Sequence, residues 1–495
     1  MTSDNTSQPQ EDPQILQQAV HSIKWTALSQ VLPRLITPVT TMLLAALLVP
    51  DDFGVVAIAT LVISLANIVI GMGFGTTVIQ RRTMVDVTAN ITFWMSLALA
   101  FLLYAILWFV SPSISLFYKI PPLTNVLRVV GLSLIISVFS SIPTALLQKN
   151  MEFKKIFFIG AGPQIINGLV SLVFALLKFG YWALVIGNLA GSLFGSILAW
   201  IFCSWKPRLV WRTELAKSIF RFSFWVLLAN FASWFYLYSD NAMAGYFFGS
   251  NGVGQYSLGF NISMMLPGMI AAPIASIAYP VLCKLNSHKD VGIELLKFQS
   301  LSACLLFPVC LGLSAIAPPV ISILYGIKWP ELGMVIQMLS ILPGMINIWS
   351  LNADGFRAIG HPEAWTRASL IGLVVLLPLL FFAGRYGLFE FVLARAIGSI
   401  VTPLLCLIIS KQFFSISIKS QLRNIASPLI SAIIMLVFVF LFIHIFSPFQ
   451  GLVGIVMLFI CIVFGGIIYF LFLRFINRPL FNQIFRLGRQ AIFPG

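Results

Sequence analysis

The heptapeptide ISLFYKI at residues 114–120 returns as ISILYGI at residues 321–327, with Ile114, Ser115 and Tyr118 matching Ile321, Ser322 and Tyr325. The same offset of 207 residues aligns Leu132 and Ser133 with Leu339 and Ser340. Further along it aligns Lys178, Gly180, Val185, Gly191 and Ser192 with Arg385, Gly387, Val392, Gly398 and Ser399. Near an offset of 200, the turn Val49–Gly54 corresponds to Gly249–Gly254. One offset that fits two separate pairs of loops marks a parallel duplication, with halves related by a pseudo-two-fold axis along a membrane normal.

The repeated unit is a set of apolar helices. Of 495 residues, 59% are hydrophobic and only 9% charged, against roughly 45–50% and 25% in soluble domains. Mean hydropathy is +0.98. So few charges cannot coat a water-facing surface, and the outer surface must face lipid. Apolar runs of spanning length fall at about 22–49, 53–79, 87–110, 123–147, 154–178 and 181–203, then at about 216–248, 252–282, 294–316, 332–357, 362–383 and 388–410, with two more at about 424–446 and 451–474. The fold class is therefore an all-α polytopic membrane protein of about 14 transmembrane helices, with two pseudo-symmetric six-helix lobes and two extra helices. The expected organisation is a cytoplasmic tail (1–21), an N-terminal lobe (22–205), a C-terminal lobe (206–411), helices 13 and 14 (412–474) and a basic interfacial tail (475–495).

The net charge of +15 finds its explanation in topology. With 14 spans, 23 of the 30 Lys and Arg residues lie on one side. Five lie on the other (Lys119, Arg128, Lys178, Lys328 and Arg385), and Arg34 and Arg395 sit inside spans. That asymmetry places both termini in the cytoplasm and needs no nucleic-acid partner. The acidic start MTSDNTSQPQEDPQ lacks the basic region of a signal peptide. Six cysteines without a CxxC pair, and four scattered histidines, read as neither a disulfide framework nor a metal site. No Walker sequence is present, so energy must come from a gradient or from the substrate itself. A single-pass receptor, a secreted enzyme and a disordered chain are all excluded.

Several stretches carry a family resemblance: KWTALSQ (24–30), VPDDFGVVAIATLVI (49–63), GMGFGTTVIQRR (71–82), LLQKNMEFKKI (146–156) and YGIKWPELGMVIQMLS (325–340). Their order and spacing resemble the polysaccharide-flippase branch of the multidrug/oligosaccharidyl-lipid/polysaccharide exporter superfamily. The resemblance implies a flippase, not an enzyme. Its substrate would be undecaprenyl-diphosphate-linked oligosaccharide, moved by alternating access from the inner to the outer leaflet of the bacterial inner membrane. It would serve O-antigen, capsule or exopolysaccharide assembly. It also implies a cationic cavity for this polyprenyl-diphosphate-linked glycan, with a polysaccharide polymerase and export machinery as partners. No cofactor is expected, although Na+ or H+ could serve as a coupling ion.

A charge at membrane depth costs about 2.5–3.5 kcal/mol on insertion scales, so each one asks for a reason. Arg34 lies ten residues past Lys24, about 15 Å deeper along a helix. Its guanidinium suits a diphosphate or sugar acid, or else pairs with a carboxylate or caps carbonyls freed near Pro33 or Pro38. Arg395 lies inside the twelfth span, and its repeat equivalent is Asn188; the two could line a cavity, or Arg395 could pair with Glu390 or Asp240. Arg128 is a cavity candidate or a snorkelling residue. Arg221, Arg357 and Arg367 are candidates for a cytoplasmic entry funnel. Asp240, beside Asn241, is a candidate for ion coupling or for latching the lobes. Asp354, one turn before Arg357, is a second coupling or latch candidate, or else half of an i,i+3 ion pair. The tail NRPLFNQIFRLGRQ (477–490) interleaves Arg with Phe, Leu and Ile, and reads as an interfacial helix on anionic membrane lipid.

Two other classes compete. A cation-coupled multidrug antiporter would favour buried carboxylates facing cationic drugs. A membrane polysaccharide polymerase or ligase would need a sizeable catalytic outer loop, yet SPSISLFYKIPP (111–122) holds one Lys and no acid or His.

Overall fold

The structure, a computed structural model, describes residues 36–81, 83–285, 287–446 and 451–492. Those residues form helices and no strand, because a backbone without water must satisfy its polar groups within each segment. Among them twelve helices are long and apolar enough to cross a membrane. Of the 14 expected runs, the first is described as α1 (Ile36–Leu47). The seventh and eighth form one element, α9 (Thr213–Cys283), in which Gly249 turns the chain at φ 63°, ψ −161°. Hydropathy reads residues 249–251 as a loop, but one glycine in a region closed to other residues makes the turn alone.

The chain divides into two compact units. The first holds residues up to Leu48 and Ala59–Phe235, the second Val49–Ile58 and Tyr236 onward. The boundary anticipated at 205/206 falls within an irregular link, residues 203–212, and the first unit continues past it into α9.

The helix α2 (Pro50–Gly71), which belongs to the first unit from Ala59 on, is followed there by the short α3 (Phe74–Gln80), α4 (Val85–Tyr118), α5 (Leu123–Val130) and α6 (Leu132–Lys149). Then come α7 (Phe153–Leu176) and α8 (Tyr181–Phe202). The pair α7 and α8 is closely packed because glycines recur every four residues on α8. A Cβ at Gly191 would lie 2.7 Å from the Pro163 carbonyl oxygen, and one at Gly195 2.8 Å from Pro163 Cγ. Small residues are how membrane helices gain van der Waals contact when lipid competes equally for apolar surface. Buried Leu147, Ile159 and Ala199 join α6, α7 and α8. The link is pinned against α4: the Arg208 N–H donates to Asn90 Oδ1 at 2.6 Å, and Trp94 Nε1 donates to the Arg208 carbonyl at 3.1 Å. Lys149 Nζ donates to the carbonyls of Val78, Ile79 and Arg81. This satisfies orphan acceptors at the end of α3.

In the second unit, α10 (His288–Tyr325) leads through a 3₁₀ turn (Gly326–Lys328) to α11 (Leu332–Leu339), α12 (Ile341–Ala358) and α13 (Glu363–Ala383). It continues with α14 (Leu388–Gly398), α15 (Val401–Phe414), α16 (Ile418–Phe446), α17 (Gly451–Ile476) and α18 (Arg478–Ile492). Its core gathers Phe307, Trp349, Met435 and Tyr469 from α10, α12, α16 and α17, and the Tyr469 hydroxyl donates to the Cys304 carbonyl at 2.8 Å.

Two runs read as continuous spans are broken alike. The run 123–147 is the 8-residue α5 and the 18-residue α6. The run 332–357 is the 8-residue α11 and the 18-residue α12. The breaks, at Gly131 and Ser340, lie beside the matched Leu-Ser pairs. Sliding hydropathy averages over such a break, so only the backbone shows it.

Candidate functional site

Asp240 and Arg395 meet in the core of the second unit. Arg395 on α14 donates from Nε to Asp240 Oδ2 at 2.9 Å, and the two side chains are 3% and 1% exposed. The same oxygen accepts from the Tyr256 hydroxyl at 2.9 Å. The other, Oδ1, accepts from the Asn241 backbone N–H at 2.7 Å and from its side-chain amide at 3.2 Å. Arg395 Nη1 donates to Ser399 Oγ at 2.6 Å. The Ser399 hydroxyl in turn donates to the Arg395 carbonyl at 2.7 Å, one helical turn earlier. Apolar rings seal the site: Phe391 lies 5.3 Å from Tyr256, edge to face, and Phe260 5.7 Å from the Arg395 guanidinium carbon. A buried ion pair is tolerated only where further hydrogen bonds satisfy both ions, as they do here.

Asp354 and Arg357 also pair, at 2.7 Å, within the i,i+3 reach of α12. The Arg357 side chain remains 54% exposed and lies 5.6 Å over the Tyr279 ring. Arg221 and Arg367 are exposed on α9 and α13. In the first unit, Arg128 on α5 stacks its guanidinium 4.6 Å over Trp108 of α4, and its buried Nε finds no hydrogen-bond partner. Asn188 is exposed on α8, while its repeat equivalent Arg395 is buried. Equivalence in the repeat therefore does not give these two positions the same surroundings. Arg34 lies outside the described residues.

Sequence reasoning missed one polar cluster. Asn352 Oδ1 accepts from Ser410 Oγ at 2.9 Å and from Gln299 Nε2 at 3.4 Å. Gln421 Nε2 donates to the Leu407 carbonyl at 3.4 Å. Together they tie α10, α12, α15 and α16, and Gln421 Oε1 and Trp349 Nε1 are buried with no hydrogen-bond partner. The signal was available, since amides inside apolar runs need partners. Among the described residues no group of three or more His, Cys, Asp or Glu could hold a metal ion.

Comparison with known proteins agrees with this picture. The chain is 24% identical over 401 residues to an uncharacterized membrane protein from the cps region of Klebsiella pneumoniae, covering 77% of this chain and 81% of that protein. It is 21% identical over 341 residues to the succinoglycan biosynthesis transport protein ExoT of Rhizobium meliloti, covering 69% of each. Among solved structures, the lipid II flippase MurJ in an inward closed conformation shares the fold. Its TM-score is 0.76 at 15% identity, over 92% of this chain and 99% of that one. Residues 43–333, more than half of the chain, match the polysaccharide biosynthesis protein family, and the chain belongs to it.

Proposed function

We propose that the protein is a flippase carrying undecaprenyl-diphosphate-linked oligosaccharide from the inner to the outer leaflet of a bacterial inner membrane by alternating access. The glycan would feed O-antigen, capsule or exopolysaccharide assembly. One observation carries the choice against cation export: Asp240 and Asp354, the acids set inside spans, are each already paired with an arginine. A cationic drug would have to compete with a tethered guanidinium for either carboxylate, whereas an anionic diphosphate needs cations. The transport role of ExoT in succinoglycan biosynthesis supports the reading, as does the 23-to-5 division of basic residues, the bias expected of a chain with both termini in the cytoplasm. Coupling to Na+ or H+ through Asp240 would require Arg395 to leave it. A polysaccharide polymerase and export machinery are the partners that such a product would meet next.

Cells lacking the protein should accumulate lipid-linked oligosaccharide that enzymes added outside spheroplasts cannot reach. Arg34, ten residues beyond Lys24 in the first span, is proposed as a diphosphate ligand. Arg34→Ala should lower export on the order of tenfold at normal membrane levels, the worth of one charge-assisted hydrogen-bonded contact. Unchanged export would remove Arg34 from the site.

A further inference from the structure

No carboxylate follows Glu390, so the last 105 residues carry eight Lys and Arg and no acid. Arg395 is spent on Asp240; four of the rest, Arg474, Arg478, Arg486 and Arg489, fall on or beside α18. The helix follows α17 after the single residue Asn477. The turn is fixed on both sides. Asn477 Oδ1 accepts from the Leu480 N–H at 3.2 Å, which caps α18, and its amide donates to Ser427 Oγ of α16 at 3.0 Å. Leu480 packs against the α10–α16–α17 core, and Arg474 lies 5.9 Å over the Phe481 ring. At helical spacing the sequence puts Leu480, Phe481 and Phe485 on one face and Arg478, Asn482 and Arg486 on the other. Phe485 stands 67% exposed, and Arg478 and Arg486 are exposed too.

A helix with an open aromatic face and an acid-free cationic face, starting one residue past a spanning helix, begins where headgroups meet acyl chains. We propose that α18 is an anionic-lipid surface helix. Its apolar face enters the upper acyl region, its arginines hold lipid phosphates, and the Asn477 turn fixes its angle to α17. The inference does not depend on the flippase reading.

Hydrogen exchange on the full-length protein tests it, in nanodiscs of phosphatidylcholine alone or with phosphatidylglycerol. Each arginine near an anionic surface contributes roughly fivefold to partitioning, so three should slow exchange of the α18 amides on the order of a hundredfold in the anionic discs. The triple variant R478Q/R486Q/R489Q should lose that difference, while the amides of α16 and α17 exchange as before. Equal exchange of wild-type α18 in both lipids would overturn the proposal. So would slow exchange that appears only when two copies share a disc, since a second copy would then be the occupant. Failure of the flippase reading would show in transport and leave the lipid dependence intact.

Discussion

Arg395→Ala should remove about 3–5 kcal/mol of stability, a large part of the roughly 5–15 kcal/mol a folded protein has in reserve, because it leaves Asp240 as a lone ion in a dry site. The carboxylate would keep Tyr256 and Asn241 as donors but lose its only charge partner among the described residues. Asp240→Ala should do comparable damage from the other side, stranding a guanidinium that is 3% exposed. The double variant Asp240→Asn, Arg395→Met should recover most of the loss, since a buried pair replaced by neutral groups of similar volume is often no less stable. The measurement is the thermal midpoint and monodisperse fraction of the purified protein. A double variant as unstable as the single ones would show that the two residues act through other partners. A double variant that folds but no longer transports would make the pair a working latch rather than a fixed brace. Arg395→Gln should also make the midpoint respond to Na+, as Asp240 takes a cation from solution, whereas the wild type should be indifferent.

Gly54 is the second position where one atom should decide the outcome. The first turns of α2, residues 49–58, belong to the second unit and lie directly on the backbone that follows Gly249. A Cβ at Gly54 would sit 1.7 Å from the Ser250 carbonyl oxygen, and one at Gly254 1.9 Å from the Pro50 carbonyl oxygen. These are the turns that the offset of 200 had aligned, so the repeat brings its own equivalent glycines into mutual contact. The Asp51 carboxylate locks the crossing by accepting from Ser250 Oγ and, at 3.0 Å, from Asn251 Nδ2. A carbonyl cannot rotate away as a flexible side chain can. Gly54→Ala should therefore cost at least the 1–3 kcal/mol typical of overpacking, and Gly54→Leu should abolish the folded fraction. Gly71, in the same helix, meets nothing within 4 Å, so Gly71→Ala should be neutral or slightly stabilising. Equal behaviour of the two alanine variants would mean that the crossing is open in the resting protein.

Much of this fold is legible in the sequence because lipid imposes so simple a rule. Long apolar runs give the helices, and the offset of 207 anticipates the paired 8- and 18-residue helices without locating their breaks. Local pairs are equally accessible: Asp354 and Arg357 meet because i,i+3 spacing on a helix brings them together. Long-range pairs are not. Asp240 and Arg395 are 155 residues apart, and the sequence offers Glu390 as a closer alternative. Nor does repeat equivalence predict environment: Asn188 is exposed and Arg395 buried, because each half packs its own neighbours. The Asn352–Gln299–Ser410 cluster escaped for a related reason. Three separate helices supply its members.

The most direct test of the transport claim is movement of a labelled polyprenyl-diphosphate oligosaccharide between leaflets of proteoliposomes, with a cationic dye run in parallel. The account predicts that the lipid-linked glycan crosses and the dye does not. Movement of the dye alone would contradict it, and would mean that Arg395 releases Asp240 to bind cations.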